Sequence, residues 1–272
     1  MYNNDLMEIF YLETPSLERK NEIIDYINEF VEYKSDINGT GSLDKILDGY
    51  TFEQALERCL NMQYEEYAKK LGRCQSKTFL LIRKNDNKII GTINIRWNLT
   101  EEMKQFGGNI GYGIRPTERR KGYNKINLYL GLIEAKKIGL DKVMLDCDVE
   151  NLGSSKTMEA LGGKLERTEI DSYDGILTSV YWINVDESLE KYKDEYDNFI
   201  DKSYGNKVMK WWKEVINNGY VSKKRNEKNQ KNGWKHKKFT IDEHQLVKND
   251  LYKLSLKPLF YKTFYLTSFY IL

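Results

Sequence analysis

Apolar residues along this chain of 272 residues change their spacing several times, and each change marks an element. An apolar run over residues 6–12 predicts a first strand. Behind Ser16, a residue suited to cap a helix, Leu17, Ile23, Ile24, Ile27, Phe30 and Val31 recur at helical spacing, and the pattern fades near Tyr33. After a loop rich in Gly and Ser over residues 38–42, the helical period returns with Phe52, Ala55, Leu56, Leu60, Tyr64 and Tyr67. From Thr78 the runs shorten. Residues 79–82 and 88–97 read as strands joined by the turn Asn85-Asp86-Asn87, and 109–114 follows, so three consecutive antiparallel strands are expected.

Ile110, Tyr112 and Ile114 alternate up to Pro116, and Ile126, Leu128, Leu130, Leu132, Ile133 and Ile138 then mark a helix that opens near Gly122 and stops at Gly139. Residues 142–148 form the next strand, and this strand–helix–strand crossover favours parallel pairing. A short helix over 151–161 and two strands, 164–170 and 178–185, complete the pattern. The order predicts a mixed α/β sheet covered by helices.

The turn between strand and helix, Arg119-Arg120-Lys121-Gly122-Tyr123-Asn124, holds the most chemistry. The first amides of a helix have no intrahelical acceptor and lie at the positive end of its dipole, so a phosphate there gains hydrogen bonds and favourable electrostatics together. Arg119, Arg120, Lys121 and Lys125 add mobile positive charge, and Gly122 permits a close backbone approach. Taken alone, the basic run is equally well a solvated turn before a surface helix.

This turn, with Ile114 and Pro116 before it, the strand over 141–148, and Asn151 with Ser154 opening the next helix, resembles the GNAT superfamily of N-acetyltransferases. The resemblance covers residues 78–185 closely and 6–70 more loosely. It implies a mostly antiparallel central sheet with a parallel, splayed strand pair, flanked by helices. It also implies that acetyl-CoA is the cosubstrate, with no metal, and that an amine is the acceptor. In such a site the amides of Arg120, Lys121, Gly122, Tyr123, Asn124 and Lys125, next to Arg119, cradle the pyrophosphate. Ile114 offers backbone groups near the thioester, and Asn151 and Ser154 meet the pantetheine arm. The chain departs from the pattern at several positions. Asn124 stands where the family prefers Gly or Ala, Met158 where many members have a tyrosine that protonates the thiolate, and Asn109 and Trp97 where a related branch has histidine.

Both histidines, His236 and His244, fall in the last quarter of the chain, so catalysis in the first two thirds must use other groups. Asp148 is the first candidate base, with Asp146 beside it and Glu101 or Glu102 on the loop after the third strand. Asp146 and Asp148 read also as carboxylates that face solvent or fix the turn before Asn151. Tyr123, Tyr112 and Tyr181 are candidate acids, although strand tyrosines also serve as packing. Cys147 reads as core rather than nucleophile.

The balance of 43 basic and 41 acidic side chains argues against a nucleic-acid polyelectrolyte, and three cysteines at irregular spacing are expected to be reduced. No apolar run reaches the roughly 20 residues a bilayer needs, so a cytoplasmic protein without a membrane partner is expected. Residues 1–185 form the expected acetyltransferase unit, and 186–272 a helical and basic extension, in part disordered. Leu189, Tyr192, Tyr196, Phe199 and Ile200 sit at helical spacing, as do Val208, Trp211, Trp212, Val215 and Ile216. Residues 223–238, basic with Trp234 inserted, read as a solvated linker or an RNA-touching arm, and 258–272 as a strand or a cover for an apolar groove. The sequence leaves open a homodimer and, as an alternative function, a noncatalytic acetyl-CoA-binding module or a partner- or RNA-binding protein.

Overall fold

The apolar run 79–82 does not alternate with polar residues because its strand is covered on both faces. In the computed structural model, which describes residues 7–201, β1 (Phe10–Glu13), β2 (Gln75–Arg83), β3 (Lys88–Trp97) and β4 (Ile110–Ile114) form one antiparallel sheet in that order. Phe79 and Leu81 of β2 enter a core with α5 (Tyr123–Ile138), while Leu80 and Ile82 enter a second core with α1 (Lys20–Glu32) and α2 (Phe52–Asn61). Each such buried aliphatic side chain stabilises the fold by roughly 1.5–3 kcal/mol relative to exposure. In the β2–β3 register Leu81 faces Gly91 and Ile82 faces Ile89, so Ile90 is the extra residue of a bulge, and it joins Ile93 and Ile95 beneath α5.

The second sheet holds β5 (Lys142–Asp148), β7 (Leu177–Asn184) and β6 (Lys164–Ile170), with β7 central and both pairs antiparallel. The parallel pairing expected of β4 and β5 is realised only as a splay, since the two strands belong to different sheets. Asn109 makes the junction. Its N–H donates to the Met144 carbonyl at 2.7 Å, its Oδ1 accepts the Met144 N–H at 2.8 Å, and its Nδ2 donates to the Arg96 carbonyl at 3.1 Å.

Two local expectations are corrected. Ser16 makes no side-chain cap, and a 3-10 turn, Leu17–Arg19, precedes α1. The buried Arg19 side chain explains this, because it is drawn back to Glu13 (2.9 Å) and to the Asn87 carbonyl (3.2 Å). The segment after β3 is not all loop, since Thr100 caps a short helix, α4 (Glu101–Gln105).

Two further short helices, α3 (Glu65–Lys70) and α6 (Leu152–Ala160), flank β2 and β5. The helix expected after β7 is α7 (Val185–Tyr196), which packs on α5 through Leu189, Tyr192 and Tyr196, the rings of Tyr129 and Tyr196 lying 5.2 Å apart. The expected helix around Trp211, the basic stretch 223–238 and the segment 258–272 lie outside the described residues. Among the described residues no helix is long and apolar enough to cross a membrane.

Candidate active site

The turn entering α5 contains two residues in the left-handed region, Arg120 at φ 62° and Gly122 at φ 83°. Gly122 adopts it without strain, and it stands as the N-cap residue with no side chain over the first amides of the helix. The four cations of the turn differ in their freedom. Arg119 donates to the Ile114 carbonyl at 3.1 Å and to Ser35 Oγ at 2.7 Å, and stacks over Phe30. Lys121 pairs with Glu118 at 2.8 Å. Arg120 and Lys125 have no ion-pair or hydrogen-bond partner among the described residues.

Glu118 is the buried anchor of this turn, accepting from Arg83 (3.0 Å), Lys88 (3.1 Å) and Lys121. Burial raises its pKa, but the hydrogen bonds from Lys121, Arg83 and Lys88 outweigh that and bring it down to about 2. Tyr123 is buried against Phe10, and its hydroxyl donates to Glu8. Burial and the Glu8 carboxylate together push its pKa up to about 12.

A cavity of about 800 Å³ runs from this turn into the splay, bounded by Arg120, Gly122, Asn124 and Lys125 at one end and by Gly107, Asp146 and Asp148 at the other. Ile114, Arg119, Tyr123, Asn151 and Ser154 also line it, so of the expected cofactor-binding residues all but Lys121 stand on the wall. Asn151 Oδ1 caps α6 by accepting the Ser154 N–H at 3.1 Å. Asn124 neither caps α5 nor fills the turn. Its Nδ2 reaches Thr157 Oγ1 on α6 at 3.5 Å, and its buried Oδ1 has no partner among the described residues.

The carboxylates are unequal. Asp148 is exposed, whereas Asp146 is half-buried and accepts the Gly107 N–H. Burial raises the Asp146 pKa above the usual aspartate value, against the Gly107 amide and the nearby Arg96 charge. Burial first, then Asp146 and Asp148, pushes the Cys147 thiol up to about 11, so it stays protonated near neutrality. Glu101 and Glu102 are exposed on α4, away from the cavity wall.

With this geometry in place, residues 42–164 match the family model described as an acetyltransferase (GNAT) domain. Residues 42–164 thus resemble a GNAT acetyltransferase domain. A search of curated proteins found no match. Among solved structures, the microcin C7 self-immunity acetyltransferase MccE, in complex with acetyl-CoA and AMP, is 18% identical, with 66% of this chain and 92% of that chain covered and a TM-score of 0.45. A GNAT-family acetyltransferase from Bacillus anthracis is 18% identical over 66% of this chain and 97% of its own, with a TM-score of 0.42. A chimera of spermidine N-acetyltransferase SpeG from Vibrio cholerae and hSSAT is 14% identical over 66% and 98%, with a TM-score of 0.46.

Met158, at the position where the resemblance places a tyrosine acid, is wholly buried in the core beneath α6. Asn109, one of the two positions where a branch carries histidine, joins the two sheets. Sequence reasoning missed Arg96, Gly107, Asp171 and Asp174 on the cavity wall. A signal existed for the first. Thr92, Asn94 and Arg96 alternate with Ile93 and Ile95 in a strand whose isoleucines are all buried, which marks a second face with polar work to do.

Proposed function

We propose that this chain transfers an acetyl group from acetyl-CoA to a primary amine of a small molecule or peptide by direct attack. One observation carries the reading: a single cavity holds both a cationic, amide-rich helix start and a half-buried carboxylate. The residues fit the cosubstrate. Among the described residues Arg120 and Lys125 keep their charge unpaired beside the α5 amides, Gly122 leaves open space where a side chain would stand, and Ile114, Asn151 and Ser154 border the splay. Bound acetyl-CoA supplies an activated thioester.

The protein's own part concerns protons and orientation. An alkylamine with a pKa of about 10.4 arrives protonated and must lose a proton before it attacks. Asp146 takes the base role in this reading, because it is half-buried, fixed by the Gly107 amide and more basic than a solvated aspartate. Asp148 is exposed, so water screens its charge, and Tyr123 already gives its hydroxyl to Glu8 and keeps a packing role. A thiol of pKa about 8.5 leaves as thiolate without an acid at position 158. The acetyltransferase unit spans 1–185, with α7 the first element of the extension packed on it.

The test is calorimetry with acetyl-CoA and CoA, joined to a thiol-release assay over a panel of amines. Heat with both ligands and amine-dependent thiol release are expected. Absence of heat with either ligand defeats the reading. The burial of Met158 favours one alternative, a noncatalytic acetyl-CoA-binding module, which predicts heat without thiol release for every amine.

A further inference from the structure

Arg96 crosses from β3 over β4 at the acceptor end of the cavity. Three of its interactions hold it in place. Nε donates to Asn94 Oδ1 at 2.9 Å, and Nη1 donates to the carbonyls of Gly107 at 2.6 Å and Gly108 at 3.4 Å. Nη2 lies where a side chain on Gly111 would stand, since a Cβ there would come within 2.6 Å of it. This nitrogen has no hydrogen-bond or ion-pair partner among the described residues, and the side chain lines the cavity. A guanidinium carries five N–H donors, and the fork fixed at Nε and Nη1 leaves both Nη2 hydrogens for a ligand oxygen.

Gly107 touches both Arg96 and Asp146. Its carbonyl receives Arg96 while its N–H is given to Asp146, so cation and carboxylate are held on two sides of one residue. An amine whose carbonyl oxygen is three bonds away presents the matching pair, nitrogen to Asp146 and oxygen to Arg96. An isolated alkylamine or a polyamine leaves the arginine unanswered in a place where burial already weighs against its charge.

We propose that Arg96 is a specificity residue that binds the carbonyl or carboxylate oxygen of the acceptor, so the acceptor class is the α-amine of an amino acid or a peptide N-terminus. This rests on the acetyl-transfer reading. The test uses the full chain at saturating acetyl-CoA, with glycine, glycinamide and a dipeptide against ethylamine and spermidine. A peptide α-amine has a pKa near 8 and an alkylamine near 10.4, with a free amino acid above the peptide, so raw rates differ for solution reasons, and the quantity read is the change in the ratio of kcat/KM on substitution.

Arg96→Gln is expected to lower the glycinamide-to-ethylamine ratio at least tenfold, mainly through KM, with acetyl-CoA binding heat retained. Gly111→Ala, which displaces Nη2 and keeps the charge, is expected to lower it in the same direction. Comparison of glycine with glycinamide and the dipeptide separates free amino acid from peptide. An unchanged ratio in both variants overturns the proposal, as does cofactor heat accompanied by turnover of spermidine but of no α-amine, or by turnover of nothing. Absence of cofactor heat in the unaltered protein removes the parent reading instead, and this proposal with it.

Discussion

Glu118 offers a quantitative handle on the turn that opens α5. Its pKa falls from 4.5 to about 2 in the folded protein. At ~1.4 kcal/mol per pKa unit, that depression corresponds to roughly 3 kcal/mol of stability. The contribution is fully present above the unfolded value of 4.5 and is lost as pH falls through the folded value of about 2. Glu118→Gln removes the charge and leaves Arg83, Lys88 and Lys121 to repel one another. Urea unfolding of both proteins should therefore differ by about 3 kcal/mol from pH 7 to pH 5, and the gap should shrink as pH drops below 4.5. Acetyl-CoA affinity should not weaken, since a negative charge has left the neighbourhood of the proposed phosphate site. A gap under about 1 kcal/mol at pH 7, or one of constant size down to pH 3, refutes the assignment of Glu118 as a charge-dependent anchor.

Other expectations follow from the same cavity. Arg120→Glu should weaken acetyl-CoA binding tenfold or more by calorimetry, with an effect that declines at high salt, because Arg120 has no ion-pair partner among the described residues. Asp146→Asn should reduce kcat by about 10²–10³ while leaving cofactor heat in place, and in the unaltered protein the acid limb of kcat/KM should fall at a pH above that of an ordinary aspartate. Cys147→Ala should retain thiol release, whereas its loss would point to an acetyl-enzyme on that sulfur. Gly122→Ala should cost about 1–2 kcal/mol in thermal unfolding, from the left-handed backbone alone, since no neighbour meets the added methyl group.

Most strands were legible because apolar spacing reports burial directly. The bounds of β3, β5 and β6 agree with the sequence reading to the residue, and α5 begins and ends at the two glycines that flank it. The site was legible where one local segment builds it, as at Arg119 to Lys125. It was not legible where distant segments meet. Gly107 contributes a carbonyl and an amide, which carry no side-chain signature, and Asp171 and Asp174 reach the cavity from the hairpin between β6 and β7. The difference between Asp146 and Asp148 was equally hidden, because both occupy the same face of one strand and only the strand's surroundings separate a half-buried carboxylate from a solvated one.

The amide of Asn109 has a consequence for how this scaffold tolerates change. One side chain fastens the two sheets by giving a proton on one side and receiving one on the other, which an ionised aspartate or a leucine of the same size cannot do. The wedge between the halves is thus set at its narrow end like a pair of tongs riveted at the pivot. Loosening that rivet should alter the gape at both working tips at once, so variants there would be felt by whatever the protein grips long before they are felt as unfolding.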